Sequence, residues 1–198
     1  MAVRFASSSR VKNDLPRYSN FWDGTTIFSP FTATGSYDSL ATYTVPAGGI
    51  ATITFAGLPT GGQYQHLQIR GSFSNSSGSV IRGRFNSDSG NTYSRHYVYG
   101  DGGSAVAGAD ANFDYATFGY NAGTTANYSG SVVDILDYAA TTKNKTVRTL
   151  TGSDNNGSGL IVLYSSGWYN TAAINSITIT STGGNFTQHS QFSVYGVK

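Results

Sequence analysis

The chain has 198 residues, no cysteine, a formal net charge of +2 and 11% charged residues, against about 25% in ordinary domains. Without cysteine there are no disulfides and no thiolate metal site, so packing and hydrogen bonds alone hold the fold. All 10 acids are Asp, a poor helix former, while 14 Tyr, 11 Phe and 25 Gly favour strands and turns, so a helical protein is hard to build from this composition.

The first twenty residues of the opening stretch, MAVRFASSSRVKNDLPRYSNFWDG, set Arg4, Arg10, Lys12 and Arg17 against the single acid Asp14. Residues 21–198 carry eight basic groups and nine acids, so the body is nearly neutral and the start is basic. No continuous apolar run of the kind a secretory leader needs is present there, and no later window approaches the ~20 apolar residues of a membrane span. A polar stretch of this kind cannot bury enough surface to order itself. Residues 1–35 therefore read as an extended N-terminal docking arm. Its four basic groups would meet carboxylates, and Phe21 and Trp22 would serve as the aromatic anchors that dominate such contacts.

From Asp38 the pattern is period two, as expected of strands half exposed to water. Ala41, Tyr43 and Val45 alternate with threonines, and Ala51, Ile53 and Phe55 do the same after the turn Pro46-Ala47-Gly48-Gly49, which predicts a hairpin. Leu67, Ile69, Gly71 and Phe73 share one face of the next strand, with His66, Gln68, Arg70 and Ser72 on the other. Residues 79–85 place Ile81 and Phe85 opposite Arg82 and Arg84. Residues 92–99 place Tyr93, Arg95, Tyr97 and Tyr99 opposite His96 and Val98. The Gly/Ala/Asp-rich segment 100–111 reads as a loop. Strands are predicted at 113–120, 128–138 and 146–151, with a short helical turn within 137–145. Residues 160–164 are apolar on both faces, the mark of a central strand. Ile174, Ile177 and Ile179 continue the sheet, and 192–197 close it. About ten short strands between turn signals make an all-β chain: a β-sandwich, jelly-roll-like, over residues 36–198.

The segments GSYDSLATYTVPAGGIATITFAGLP, HLQIRG, SRHYVYGDG, DILDYAATTKNKTVRTLTG and HSQFSVYGVK resemble a family of small β-rich proteins encoded by tailed bacteriophages, notably phages of cyanobacteria and other aquatic bacteria. The resemblance spans residues 36–198. It implies a particle-associated structural role and supplies no site residues.

Signals for chemistry are sparse. The strained nucleophile elbow Gly-x-Ser-x-Gly does not occur. Asp134 and Asp137 are the nearest approach to a glycosidase pair, but a spacing of three on a strand sends them to opposite faces. Asp110 and Asp114 beside the loop are the remaining pair. His66, His96 and His189 lack metal-ligand spacing. The turns NSDSGN and GSDNNGSG resemble calcium loops only in their Asp and Asn content, which turns favour for backbone reasons. Five Asn-x-Ser/Thr sequons, at Asn75, Asn127, Asn144, Asn156 and Asn185, are what chance gives in so Asn- and Ser-rich a chain.

Three surface features stand out as sites. Arg70, Arg82 and Arg84, if their strands pair, form a basic stripe that needs an acidic partner, because like charges opposite each other are unfavourable. Trp168 and Tyr169, in SSGWYN, are candidate glycan contacts, with core packing as the competing role. The docking arm is the third. The expectation is a virion protein made in the host cytoplasm without a signal peptide. It acts as a capsid decoration or cement protein that contacts the major capsid protein and assembles as a homo-oligomer, a trimer by expectation. It is expected to have no enzymatic role, catalytic residues, metal or cofactor, and no nucleic-acid or membrane partner. The alternative is a receptor- or glycan-binding module of a tail or head fibre.

Overall fold

The structure, a computed structural model, describes residues 36–121 and 127–198. Alternating side chains point to opposite faces of a strand, and the period-two pattern forms twelve strands among the described residues. They are β1 (Tyr37–Thr44), β2 (Thr52–Ala56), β3 (His66–Phe73), β4 (Ser79–Phe85), β5 (Tyr93–Gly100) and β6 (Ala105–Phe113). Then follow β7 (Ala116–Asn121), β8 (Ser129–Leu136), β9 (Lys145–Asp154), β10 (Gly159–Trp168), β11 (Ser176–Ser181) and β12 (Gln191–Val197).

Eight strands form one sheet in the order β1-β12-β3-β8-β9-β10-β5-β6, and four form a second in the order β2-β11-β4-β7. Each pairing is antiparallel. The inner faces meet over a core built from Leu67, Ile69 and Phe73 of β3, Ile81 and Phe85 of β4, Ile177 and Ile179 of β11, and Phe192 and Val194 of β12. This is a β-sandwich. The jelly-roll expectation meets a different division: twelve strands split eight and four, where a jelly roll has eight strands in all.

Within the small sheet, the paired strands β4 and β7 pack closely where a side chain is missing. A Cβ on Gly83 of β4 would lie 2.3 Å from the Phe118 ring of β7, and that ring is itself fully buried. A close-packed interior has nowhere to move it. Gly83→Ala is expected to lower stability by about 1–3 kcal/mol, the usual range for overpacking. Urea unfolding checks this, and an unchanged midpoint would contradict the packing described.

Three expectations are corrected. The hairpin over 41–55 does not form: β1 pairs with β12 in the large sheet, and β2 with β11 in the small one. The turn Pro46–Gly49 instead carries the chain between sheets, because Val45 is buried and its N–H donates to Ser190 O at 2.8 Å. At Gly49, with φ +70°, a Cβ would strike Phe186 O at 2.5 Å. The second correction concerns the segment read as a loop, most of which is β6, paired with β5 at the edge of the large sheet. Alanine and glycine are weak strand formers, but this edge strand needs small residues. The Tyr97 ring lies over Gly108, where a Cβ would be 2.5 Å from it. Third, residues 137–140 make a turn, closed by Ala140 N–H to Asp137 O at 3.0 Å, with no helix.

β10 is central, as its apolar character predicts, lying between β9 and β5. Among the described residues, however, only one of its faces is covered. Val162, Tyr164 and Trp168 point into the sandwich, while Ile161 and Leu163 point out of it.

Candidate functional site

The outer face of the large sheet follows from that register. Leu163 of β10 stands opposite Leu150 of β9 and Val98 of β5, and Leu150 stands opposite Val132 of β8. Val132, Leu150, Leu163 and Val98 therefore form one unbroken row across four strands. Leu150 is 51% exposed, Leu163 49% and, two residues from Leu163 on the same face of β10, Ile161 60%. The row continues at one end into Ala107 of edge strand β6 and at the other into Arg70 of β3.

The neighbouring row is nearly bare of side chains. Gly130, Gly152, Ile161 and Gly100 are successive cross-strand partners. This row is the floor of a shallow groove of about 870 Å³, rimmed by Asp101, Tyr128, Asp154 and Ser158. On the other side of the apolar row runs a polar one, Asp134, Arg148, Ser165 and His96. Gln68 Nε2 donates to Asp134 at 2.8 Å.

The predicted basic stripe does not assemble. Arg70 lies on β3 in the large sheet, and Arg82 and Arg84 lie on β4 in the small one. β3 and β4 are consecutive in the chain but belong to different sheets, so Arg70 stands apart from Arg82 and Arg84, which share the outward face of β4. Each has a local partner. Arg70 Nε donates to Gln68 Oε1 at 2.8 Å, and its guanidinium lies 5.0 Å from the centre of the Tyr195 ring. Arg82 sits over Tyr115 at 4.5 Å. Arg84 forms an ion pair with Asp114 and donates to its backbone carbonyl at 2.9 Å.

The predicted glycan pair also separates. Trp168 is fully buried, stacked on Tyr93 at 6.2 Å and packed against Phe85 at 5.4 Å, so it is a core residue and not a surface contact. Tyr169 is 61% exposed, with its hydroxyl 3.1 Å from Ser94 Oγ. The arm residues Arg4, Arg10, Lys12, Arg17, Phe21 and Trp22 lie outside the described residues.

The turn NSDSGN proves to be a structural hub. Asp88 accepts from Trp168 Nε1 at 2.8 Å, from Gly90 N–H at 2.8 Å and from Thr92 Oγ1 at 2.9 Å. Burial alone would push its carboxyl up, but these donors together hold it below the ordinary Asp value. Other acids are engaged as well. Asp110 pairs with Arg95 at 2.8 Å, and Asp137 with Lys143 at 2.5 Å. Asp137 lies just past the end of β8 at φ +48°, whereas Asp134 stays on the outer face. Among the described residues, no three His or Asp side chains gather as metal ligands. Asn75 of the first sequon is fully buried, with its amide donating to Ser181 Oγ at 2.9 Å.

The exposed apolar row is the feature that sequence reasoning missed. Its signal was present in β9, where Leu150 shares a face with the polar Thr146 and Arg148.

Fold and surface together define the class: an all-β sandwich whose larger sheet turns an apolar row to solvent. No family model, curated protein or solved structure matches the chain.

Proposed function

We propose that this chain is a structural protein of a phage particle, acting as a decoration or cement protein that packs on the capsid exterior and bridges capsid subunits. The observation that carries the assembly role is the apolar row Val132–Leu150–Leu163–Val98 on an exposed sheet face. Soluble monomers rarely leave a contiguous apolar surface of this kind uncovered, and such surfaces mark protein contacts. The resemblance of residues 36–198 to small phage structural proteins supplies the particle. The basic groups of residues 1–35 supply an anchor for an acidic site on the major capsid protein. The role is mechanical: Asp88, Asp110, Asp114 and Asp137 are all engaged within the fold, and the proposal needs no cofactor.

The full chain is expected to co-sediment with phage capsids that lack it. Replacing Arg4, Arg10, Lys12 and Arg17 with Gln should weaken that binding at least about tenfold, as loss of charge-assisted contacts does. Failure of the full chain to bind capsids sinks the decoration reading.

A second reading is a glycan-binding module of a tail or head fibre, favoured by the groove. Its apolar floor beside Ile161 and Leu150 could take sugar faces, and its Asp101, Asp154 and Ser158 rim could take hydroxyls. Binding of the full chain to host-surface glycans but not to capsids would select it.

A further inference from the structure

We infer that the outer face of the large sheet docks against the same face of a second copy of this chain, about a two-fold axis that runs along the strands between β9 and β10. The inference deepens the assembly reading, on which it rests for the premise that the apolar row is a protein contact.

The register carries it. The row reads Val132, Leu150, Leu163, Val98, the same forwards and backwards. Closed pairs use one patch twice, so the patch must be complementary to itself. Turning a copy over about the stated axis lays β9 on the partner's β10 and β8 on the partner's β5, with levels along the strands preserved. Leu150 then meets a second Leu163, and Val132 meets a second Val98, so apolar faces apolar throughout.

The flanking rows agree. One level along, the protruding Ile161 comes over a second Gly152, where no side chain competes for the space, and this happens twice by symmetry. Gly152 must be bare for the fold itself, since a Cβ there would lie 2.9 Å from Leu160 O, and the hollow is therefore permanent. Gly130 meets a second Gly100, letting the backbones approach. On the other flank Asp134 meets a second His96, an acceptor facing an imidazole, and Arg148 meets a second Ser165. No like charges are set opposite each other. Further out, the long Arg70 of β3 comes opposite the small Ala107 of β6, which leaves it room.

The area suffices. Six strands about 4.8 Å apart, each presenting three outward residues about 6.7 Å apart, make a face of about 580 Å² per copy. The pair then buries about 1,150 Å², which clears the roughly 1,000 Å² of a specific interface. Sheets packed face to face keep their strands within about 30° of each other, so the match is closest at the axis.

The test uses the full chain. Sedimentation velocity over a concentration series should give twice the 20.9 kDa chain mass. Leu163→Lys, at an exposed position that leaves the fold intact by circular dichroism, should weaken association at least about tenfold, as a charge in an interface core does. The register is read by crosslinking, because the chain contains no cysteine. Within one copy, Val132 and Val98 are about 14 Å apart, three strand spacings. A short bifunctional thiol reagent should therefore join Val132→Cys to Val98→Cys when the two variants are mixed, and join neither variant to itself. A monomer up to about 100 µM, well above the Kd of a specific complex, overturns the inference, as does a three-chain mass. So does undiminished association of Leu163→Lys, or equal crosslinking in the unmixed variants. A dimer that ignores capsids leaves this inference standing and sinks the decoration reading, and a monomer that binds capsids does the reverse.

Discussion

Replacing Trp168 with alanine is expected to destabilise the domain by about 3–5 kcal/mol, the range for emptying the site of a buried large aromatic ring. The indole sits at the end of β10, between the two sheets. It stacks on Tyr93 of the large sheet and packs against Phe85 of the small one. Its loss therefore uncouples the layers as well as opening a cavity, and the surrounding rings are held too well to collapse into it. Tyr93 Oη also accepts the Phe85 N–H at 3.1 Å, so its ring cannot swing into the space without breaking a buried bond. Trp168→Phe separates the two contributions. It keeps most of the ring packing and loses only the Nε1–Asp88 bond, for an expected cost of about 1–3 kcal/mol. Urea unfolding followed by far-ultraviolet circular dichroism measures both. A Trp168→Ala cost below about 1 kcal/mol, typical of surface sites, would contradict its place in the core.

Asp88→Ala is expected to cost about 2–3 kcal/mol, because hydrogen bonds to a charged acceptor are among the stronger ones and three donors lose their partner together. The effect depends on pH with a definite sign. The folded carboxyl is held below the ordinary Asp value, so the folded state binds protons less readily than the unfolded state. The resulting stability is fully present above about pH 4, the unfolded Asp value, and is lost as pH falls through the lower folded value. Asp88→Asn removes the titration, so the gap in urea midpoint between parent and variant should narrow between pH 7 and pH 3. A gap independent of pH would show that the charge on Asp88 does not matter. Asp88 and Trp168 share a bond, so their double variant should cost less than the sum of the singles.

The fold class was legible because its cause is local. Side-chain alternation in β3, β4 and β5 appears in the sequence as it stands in the structure: Ile81 and Phe85 inward, Arg82 and Arg84 outward. Partner choice was not legible, because it is set by distant segments. Nothing within 41–55 says that β1 will choose β12 and β2 will choose β11. The arginine stripe failed for the same reason, since faces were predicted well and neighbours were assumed. β6 was missed because alanine and glycine lack strand propensity, and what makes them right is the Tyr97 ring lying over Gly108. Ile161 and Leu163 looked like residues buried on both sides because apolar character was equated with burial. Their true position is in a row that only the register of four strands reveals.

The pairing of β1 with β12 has a consequence for how the protein comes into being. Thr42 and Ser193 share a hydrogen bond across 151 residues of chain, and β12 separates β1 from β3 in the large sheet. The first strand of the domain therefore waits for its neighbour until residues 191–197 have left the ribosome. Until then its backbone donors and acceptors have only water. Contacts so distant in sequence form slowly, because the closure of a long loop precedes any reward. The large sheet is thus expected to stay incomplete until β12 has emerged, however early its other strands pair.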